Sequence, residues 1–247
     1  MFKQIYYGGR DRLFLRMISL ITVVGVNLFF LPFTLGANPN LGALITALAF
    51  SGLALSFAAI VNPVISFMNI YDTFSAPKGY PGMLAPVAPQ KVLLGKILPA
   101  AIMDVAIVGL AIACTTSISF RLAGITGLVG EYIAPQYMAL AVLGALGGYT
   151  TLLCAFAFGM ALAKGAFFGS RLRGLTAFFT TLAVMWALHW MNAILLPFGS
   201  MHSIWLLFNL HIHPGSVGAV LYVLLFYVQA AILFLAATRL MERKINL

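Results

Sequence analysis

Six stretches of this chain, near residues 17–36, 41–69, 92–119, 138–163, 175–198 and 217–238, are apolar and almost free of charge. That feature fixes most of what the chain can fold into. A helix rises about 1.5 Å per residue, so roughly 20 residues cross the ~30 Å hydrocarbon core of a bilayer. Inside lipid every backbone N–H and C=O needs an internal partner, which leaves helices or a closed barrel. Continuous apolar runs without period-two alternation select helices. The expected fold is an all-α integral membrane protein with six transmembrane helices, one domain over 1–247. Composition agrees: 62% of the 247 residues are hydrophobic and 8% charged. Soluble domains carry about 25% charged residues, and so few charges cannot clothe a water-facing surface.

The net charge of +9 raises the question of nucleic acid, but its placement argues against that partner. The cations sit at the edges of the apolar runs, where cytoplasmic loops gather Lys and Arg and meet membrane lipid. Lys3, Arg10, Arg12 and Arg16 precede the first run; Lys78, Lys91 and Lys96 adjoin the loop after the second. Lys164, Arg171 and Arg173 follow the fourth, and Arg239, Arg243 and Lys244 follow the sixth, leaving only Arg121 on the opposite side. With 13 of the 14 basic residues on one side, both termini are expected in the cytoplasm. The first run exceeds the 7–15 apolar residues of a signal peptide, so it is expected to stay as a helix.

The leader 1–16, "MFKQIYYGGRDRLFLR", mixes Phe2, Ile5, Tyr6, Tyr7, Leu13 and Phe14 with four cations. It suits an amphipathic interfacial helix, rings toward the acyl boundary and cations toward anionic headgroups; a disordered basic leader is the alternative. The tail "RLMERKINL" is short and charged. Cys114 and Cys154 fall inside apolar runs and read as small core residues rather than a disulfide or metal pair.

Residues 70–91, "IYDTFSAPKGYPGMLAPVAPQK", form the longest cytoplasmic connection. Pro77, Pro81, Pro86 and Pro89 each fix a backbone angle and remove a donor, so the segment is stiff and cannot be one long helix. A short helical turn around "YPGMLAPV" would put Met83, Leu84 and Val87 on one side. Such a knob suits a groove on another protein; equally, it suits a turn that spaces two helices. No GxxxxGK[ST] phosphate loop occurs, so active work would need energy from a separate subunit.

On the other side, residues 198–216, "FGSMHSIWLLFNLHIHPGS", are too apolar for a loop and too short to span. A re-entrant or interfacial segment is expected, with Trp205 near the headgroups and Phe208 in the same apolar run. His202, His211 and His213 lack a carboxylate or fourth ligand in that loop, and no metal site is expected. The loop 120–137, with Gly124, Gly127, Gly130, Arg121 and Glu131, also suits folding back on the surface.

Within the runs, Asp104 lies about eight residues inside the third, where a charge costs several kcal/mol. It is read either as a structural hydrogen-bonding group or as a coupled-proton site. Asn62 before Pro63, and His189 and Asn192 one turn apart, suit interhelical hydrogen bonds. Gly144 and Gly148 have the GxxxG spacing of close helix approach.

The stretch "KGYPGMLAPVAPQKVLLGKIL" resembles the segment before the third span in permease subunits of type-2 ABC exporters. The shared features are Gly79, Tyr80, Leu84, Pro86, Val87, Gln90, Leu93, Leu94 and Lys96. Lys78 stands where related permeases often have an acid, and "APV" where they have "LPV". The layout of the whole chain, down to the tail "ERKINL", is similar too. The resemblance implies a coupling helix around Tyr80, Pro81, Met83, Leu84, Pro86, Val87 and Gln90, docked on a cytoplasmic ABC ATPase. It further implies a second, identical or paralogous permease, ATP and Mg bound on the ATPase subunit, and no catalytic residue or cofactor on this chain. Trp205 and Phe208 would belong to the outer gate, and the location would be the plasma membrane of a prokaryote. The expected activity is outward movement of a hydrophobic or amphipathic substrate such as a drug, peptide antibiotic or lipid-like molecule. The 20 Phe and 11 Met suit an adaptable apolar path or lipid contact.

Two other classes compete. A stand-alone ion-coupled secondary transporter would use Asp104, and would carry internal repeats that 1–120 and 121–247 do not show. An intramembrane enzyme needs paired acids, a metal cluster or a nucleophile with its base, and Asp104 is the sole acid within a run.

Overall fold

The computed structural model describes residues 2–35, 40–74, 89–126, 135–166, 173–195 and 217–245. All are helical apart from Asn40, with no strand among the described residues. The helices are α1 (Phe2–Leu35), α2 (Leu41–Phe74), α3 (Pro89–Thr126), α4 (Pro135–Ala166), α5 (Arg173–Leu195) and α6 (Val217–Ile245). Each holds one stretch long and apolar enough to cross a membrane: Phe14–Pro32, Leu41–Phe74, Pro89–Leu122, Val142–Ala163, Gly174–Asn192 and Val220–Glu242. All six expected runs coincide with these. The leader expected over 1–16 is not set off from the first span, because residues 2–35 form one unbroken helix. The connection 75–88 and the segment 196–216, with the expected re-entrant stretch from 198, lie outside the described residues.

Contacts divide the chain into two compact units. One comprises Gly9–Ile65 and Met103–Ile133; the other comprises Met1–Gly8, Ser66–Ile102 and Ala134–Leu247.

The first unit is built on stripes of small residues. Along α2 the buried positions Leu44, Ala47, Ser51, Ala54, Ala58 and Asn62 recur every three or four residues, the period of one helix face. The large side chains Ile45, Leu53, Phe57, Ile60 and Val64 are exposed. This inverts the soluble pattern, because lipid is as apolar as leucine and helices associate by close packing and hydrogen bonds. Ala54 and Ala58 pack with Val23 of α1 and with Ile107 and Ala111 of α3. Leu44 and Ala47 pack with Ile118, flanked by Phe30, Leu48 and Leu122.

In the second unit α4 is central, buried at Tyr149, Thr151, Leu153 through Ala157, and Met160. Glycines let it approach both neighbours. A Cβ on Gly147 would stand 3.2 Å from Phe226 Cβ and from the Tyr227 ring, and one on Gly144 would stand 3.4 Å from Val223. Toward α5, a Cβ on Gly159 would stand 2.8 Å from the Ala177 carbonyl oxygen. The Thr151 hydroxyl reaches the carbonyls of Gly147 and Phe226, each at 2.9 Å, and the Tyr227 hydroxyl donates to the Leu143 carbonyl at 3.0 Å. The tight contacts therefore involve Gly144 and Gly147, on one face of α4, together with Gly159 on another.

Exposed hydroxyls bond within their own helices. Thr46, Ser56 and Thr116 donate to carbonyls four residues back, and Ser117 to the one three back, at 2.8–2.9 Å. In lipid this removes the cost of an unpaired donor.

Candidate functional site

Asp104 does not stand alone. Its carboxylate meets the Arg16 guanidinium, with Nη2 donating to Oδ2 at 3.4 Å and Nε 3.1 Å from Oδ1, off the hydrogen-bonding line. Both side chains are nearly closed to solvent, at 7% and 2% exposure. Arg16 therefore belongs to the buried face of α1 rather than to the basic rim expected of the leader. One turn along α1, Ser19 accepts a hydrogen bond from Asn62 Nδ2 at 3.2 Å, while Asn62 Oδ1 is buried without a hydrogen-bond partner. Pro63 inside α2 has no N–H to give the carbonyl one turn back.

Further along the same unit lies an apolar layer of Val23, Ala54, Ala58, Ile107 and Ala111. Beyond it a second polar layer begins: Ser51 Oγ donates to Asn27 Oδ1 at 3.1 Å and shares a hydrogen bond with Thr115 Oγ1 at 2.8 Å. At the far end the Arg121 guanidinium donates to the Thr34 carbonyl in the last turn of α1, where orphan carbonyls and the negative end of the helix dipole favour a cation. The polar layers join α1, α2 and α3 crosswise. The apolar layer between them separates Asp104 from the Ser51 cluster, so among the described residues no continuous polar file joins the two.

The second unit holds another buried polar group. Asn192 Oδ1 accepts a hydrogen bond from Gln229 Nε2, and the Asn192 side chain also hydrogen-bonds with Tyr222. Asn192 and Gln229 are 4% and 3% exposed, and Gln229 Oε1 has no hydrogen-bond partner. His189, one turn before Asn192, lies edge-on to Trp190 with centroids 6.3 Å apart. Sequence reasoning set Asn192 beside His189 and passed over Gln229. A glutamine in the middle of a 23-residue apolar span was the signal.

Of the expected coupling residues, Gln90 lies in the first turn of α3, where its amide donates to Glu242 Oε1 at 3.4 Å on the surface. Tyr80, Pro81, Met83, Leu84, Pro86 and Val87 lie outside the described residues, as do Trp205, Phe208 and the histidines 202, 211 and 213. Among the described residues no three His, Cys, Asp or Glu side chains gather as metal ligands would. Cys114 and Cys154 are free thiols.

Each unit thus holds its own candidate site: Arg16–Asp104 with Ser19–Asn62 in one, and Asn192–Gln229–Tyr222 in the other. No protein-family model, curated protein or solved structure matches the chain.

Proposed function

We propose that this chain is the membrane-spanning permease subunit of an ABC exporter. In this reading a cytoplasmic ATPase carrying ATP and Mg docks on residues 70–91. A second permease completes the unit, and a hydrophobic or amphipathic substrate moves outward across a prokaryotic plasma membrane. Both termini then lie in the cytoplasm, and this chain contributes a path rather than a catalytic group.

The observation that carries the reading is the length of the helices that flank the proline-rich sequence of 70–91. α2 has 34 residues and α3 has 38, about 50 and 57 Å at 1.5 Å per residue. Each exceeds the ~30 Å hydrocarbon core, so these helices tilt steeply or project beyond it toward the 75–88 connection. Long rods on either side of a proline-rich sequence suit transmission of force from a partner. The Arg16–Asp104 pair favours this over ion coupling through Asp104, since a carboxylate opposite a guanidinium already has its countercharge.

The test is affinity isolation of the full chain from native membranes in mild detergent. The expected result is co-isolation of a soluble protein containing GxxxxGK[ST]. Replacing Leu84 and Val87 together by Asp should abolish that capture and leave insertion intact. A wild-type chain that moves solute at full rate without nucleotide overturns the reading.

A further inference from the structure

We propose that the Asn192–Gln229–Tyr222 cluster is a seat, between α5 and α6, for an uncharged amphipath whose head group donates an N–H or O–H hydrogen bond. Its meaning as a cargo site rests on the transport reading above; the binding itself does not.

Three observations point to it. Gln229 Oε1 is buried and accepts nothing, although the same amide donates to Asn192. A buried acceptor without a donor carries an unrecovered desolvation cost, which a ligand's N–H or O–H would remove. Secondly, among the described residues of α5 after Thr181, Asn192 alone is buried, while Leu182, Trp186, Trp190, Met191 and Ile194 are exposed. The one fully buried contact of this half of α5 among the described residues is thus a side-chain amide, beside the half-buried Val184, Met185, Leu188 and His189. Thirdly, the close glycine approaches described for α4 join it to α5 at Ala177 to Thr181 and to α6 at Val223 to Tyr227, between Tyr222 and Gln229, and do not join α5 to α6. A seam closed by exchangeable hydrogen bonds can part at lower cost than one closed by interlocked backbones.

The surroundings set the ligand's chemistry. The described parts of α4 and α5 hold no Asp or Glu, and α6 has only Glu242, thirteen residues beyond Gln229. The titratable groups within a few residues of the cluster on α5 and α6 are His189, Tyr222 and Tyr227, so among the described residues no carboxylate awaits an ammonium. An amide or hydroxyl head fits, and the exposed rings of Trp186 and Trp190, 6.1 Å apart and edge to face, offer a wall for an alkyl tail.

The experiment uses the full chain in phosphatidylcholine nanodiscs, without nucleotide or partner. Its three tryptophans, 186, 190 and 205, report binding by emission. The probes are N-dodecylacetamide, which has a donor, and dodecyl acetate, which has none. The expected result is a saturable emission change with the amide bound about ten-fold more tightly than the ester, equivalent to about 1.4 kcal/mol. Gln229→Leu, or the volume-conserving Gln229→Met if leucine impairs folding, should bring the amide to the ester's value. Equal titration by both probes, meaning partition into the bilayer only, overturns the proposal. So does an amide preference that persists in the Gln229 variants. Failure to capture an ATPase sinks the transport reading alone, because this binding ratio requires no ATPase.

Discussion

Arg16 and Asp104, 88 residues apart in sequence, meet as a two-contact ion pair that joins α1 to α3 beneath a dry layer of small side chains. Removing one member leaves the other as a buried charge without compensation, typically a loss of about 3–5 kcal/mol. Arg16→Met and Asp104→Leu should each lower the unfolding midpoint in denaturing detergent sharply. The double variant should recover most of the loss, as an apolar replacement of a buried pair often does. If Asp104→Asn instead abolishes transport with stability untouched, Asp104 works as an ion site and not as half of a clamp.

Glycines offer a sharper contrast. Gly159→Ala forces a methyl to within 2.8 Å of a backbone oxygen, and Gly147→Ala places one 3.2 Å from Phe226 and Tyr227. Overpacking of this kind costs about 1–3 kcal/mol, and thermal unfolding of the purified chain should register it. Gly52→Ala and Gly109→Ala meet nothing within 4 Å and should be neutral or stabilising by up to about 1 kcal/mol through helix propensity.

The α4–α6 hydrogen bonds should count for less. Tyr227→Phe removes the bond to the Leu143 carbonyl, and Thr151→Val the one to Phe226. Interhelical hydrogen bonds in membranes average about 0.6 kcal/mol, so each variant should move the unfolding midpoint less than Gly147→Ala does.

Orientation is checked by fusion. Green fluorescent protein joined after Leu247 should fluoresce, and alkaline phosphatase at the same point should be inactive. The reverse pair of results contradicts the distribution of the 13 clustered cations.

The six spans were legible because hydropathy needs no knowledge of neighbours, and every run in the sequence became a helix. That Asp104 needed special surroundings was legible for the same reason. Its partner was not: Arg16 reads as one of four leader cations, and only helix packing shows that it turns inward. Spacing likewise suggested Gly144, which does meet Val223, but it passed over Gly147 and Gly159, because the crossing of two helices selects the face. Asn192 was singled out from its residue type, but Gln229 and Tyr222 come from a helix that local sequence cannot align with it. Proline chemistry marked 70–91 as one connection, but 70–74 close α2 and 89–91 open α3, where Gln90 bonds to Glu242.

The inward-turned hydroxyls of Thr46, Ser56, Thr116 and Ser117 have a consequence for how the bilayer meets this protein. With each proton bound to a carbonyl of its own helix, what acyl chains touch is largely the carbon of those residues. The polarity written into the chain is greater than the polarity its rim displays. Thr116→Val, almost identical in outline, should therefore pass unnoticed by both the fold and the surrounding lipid.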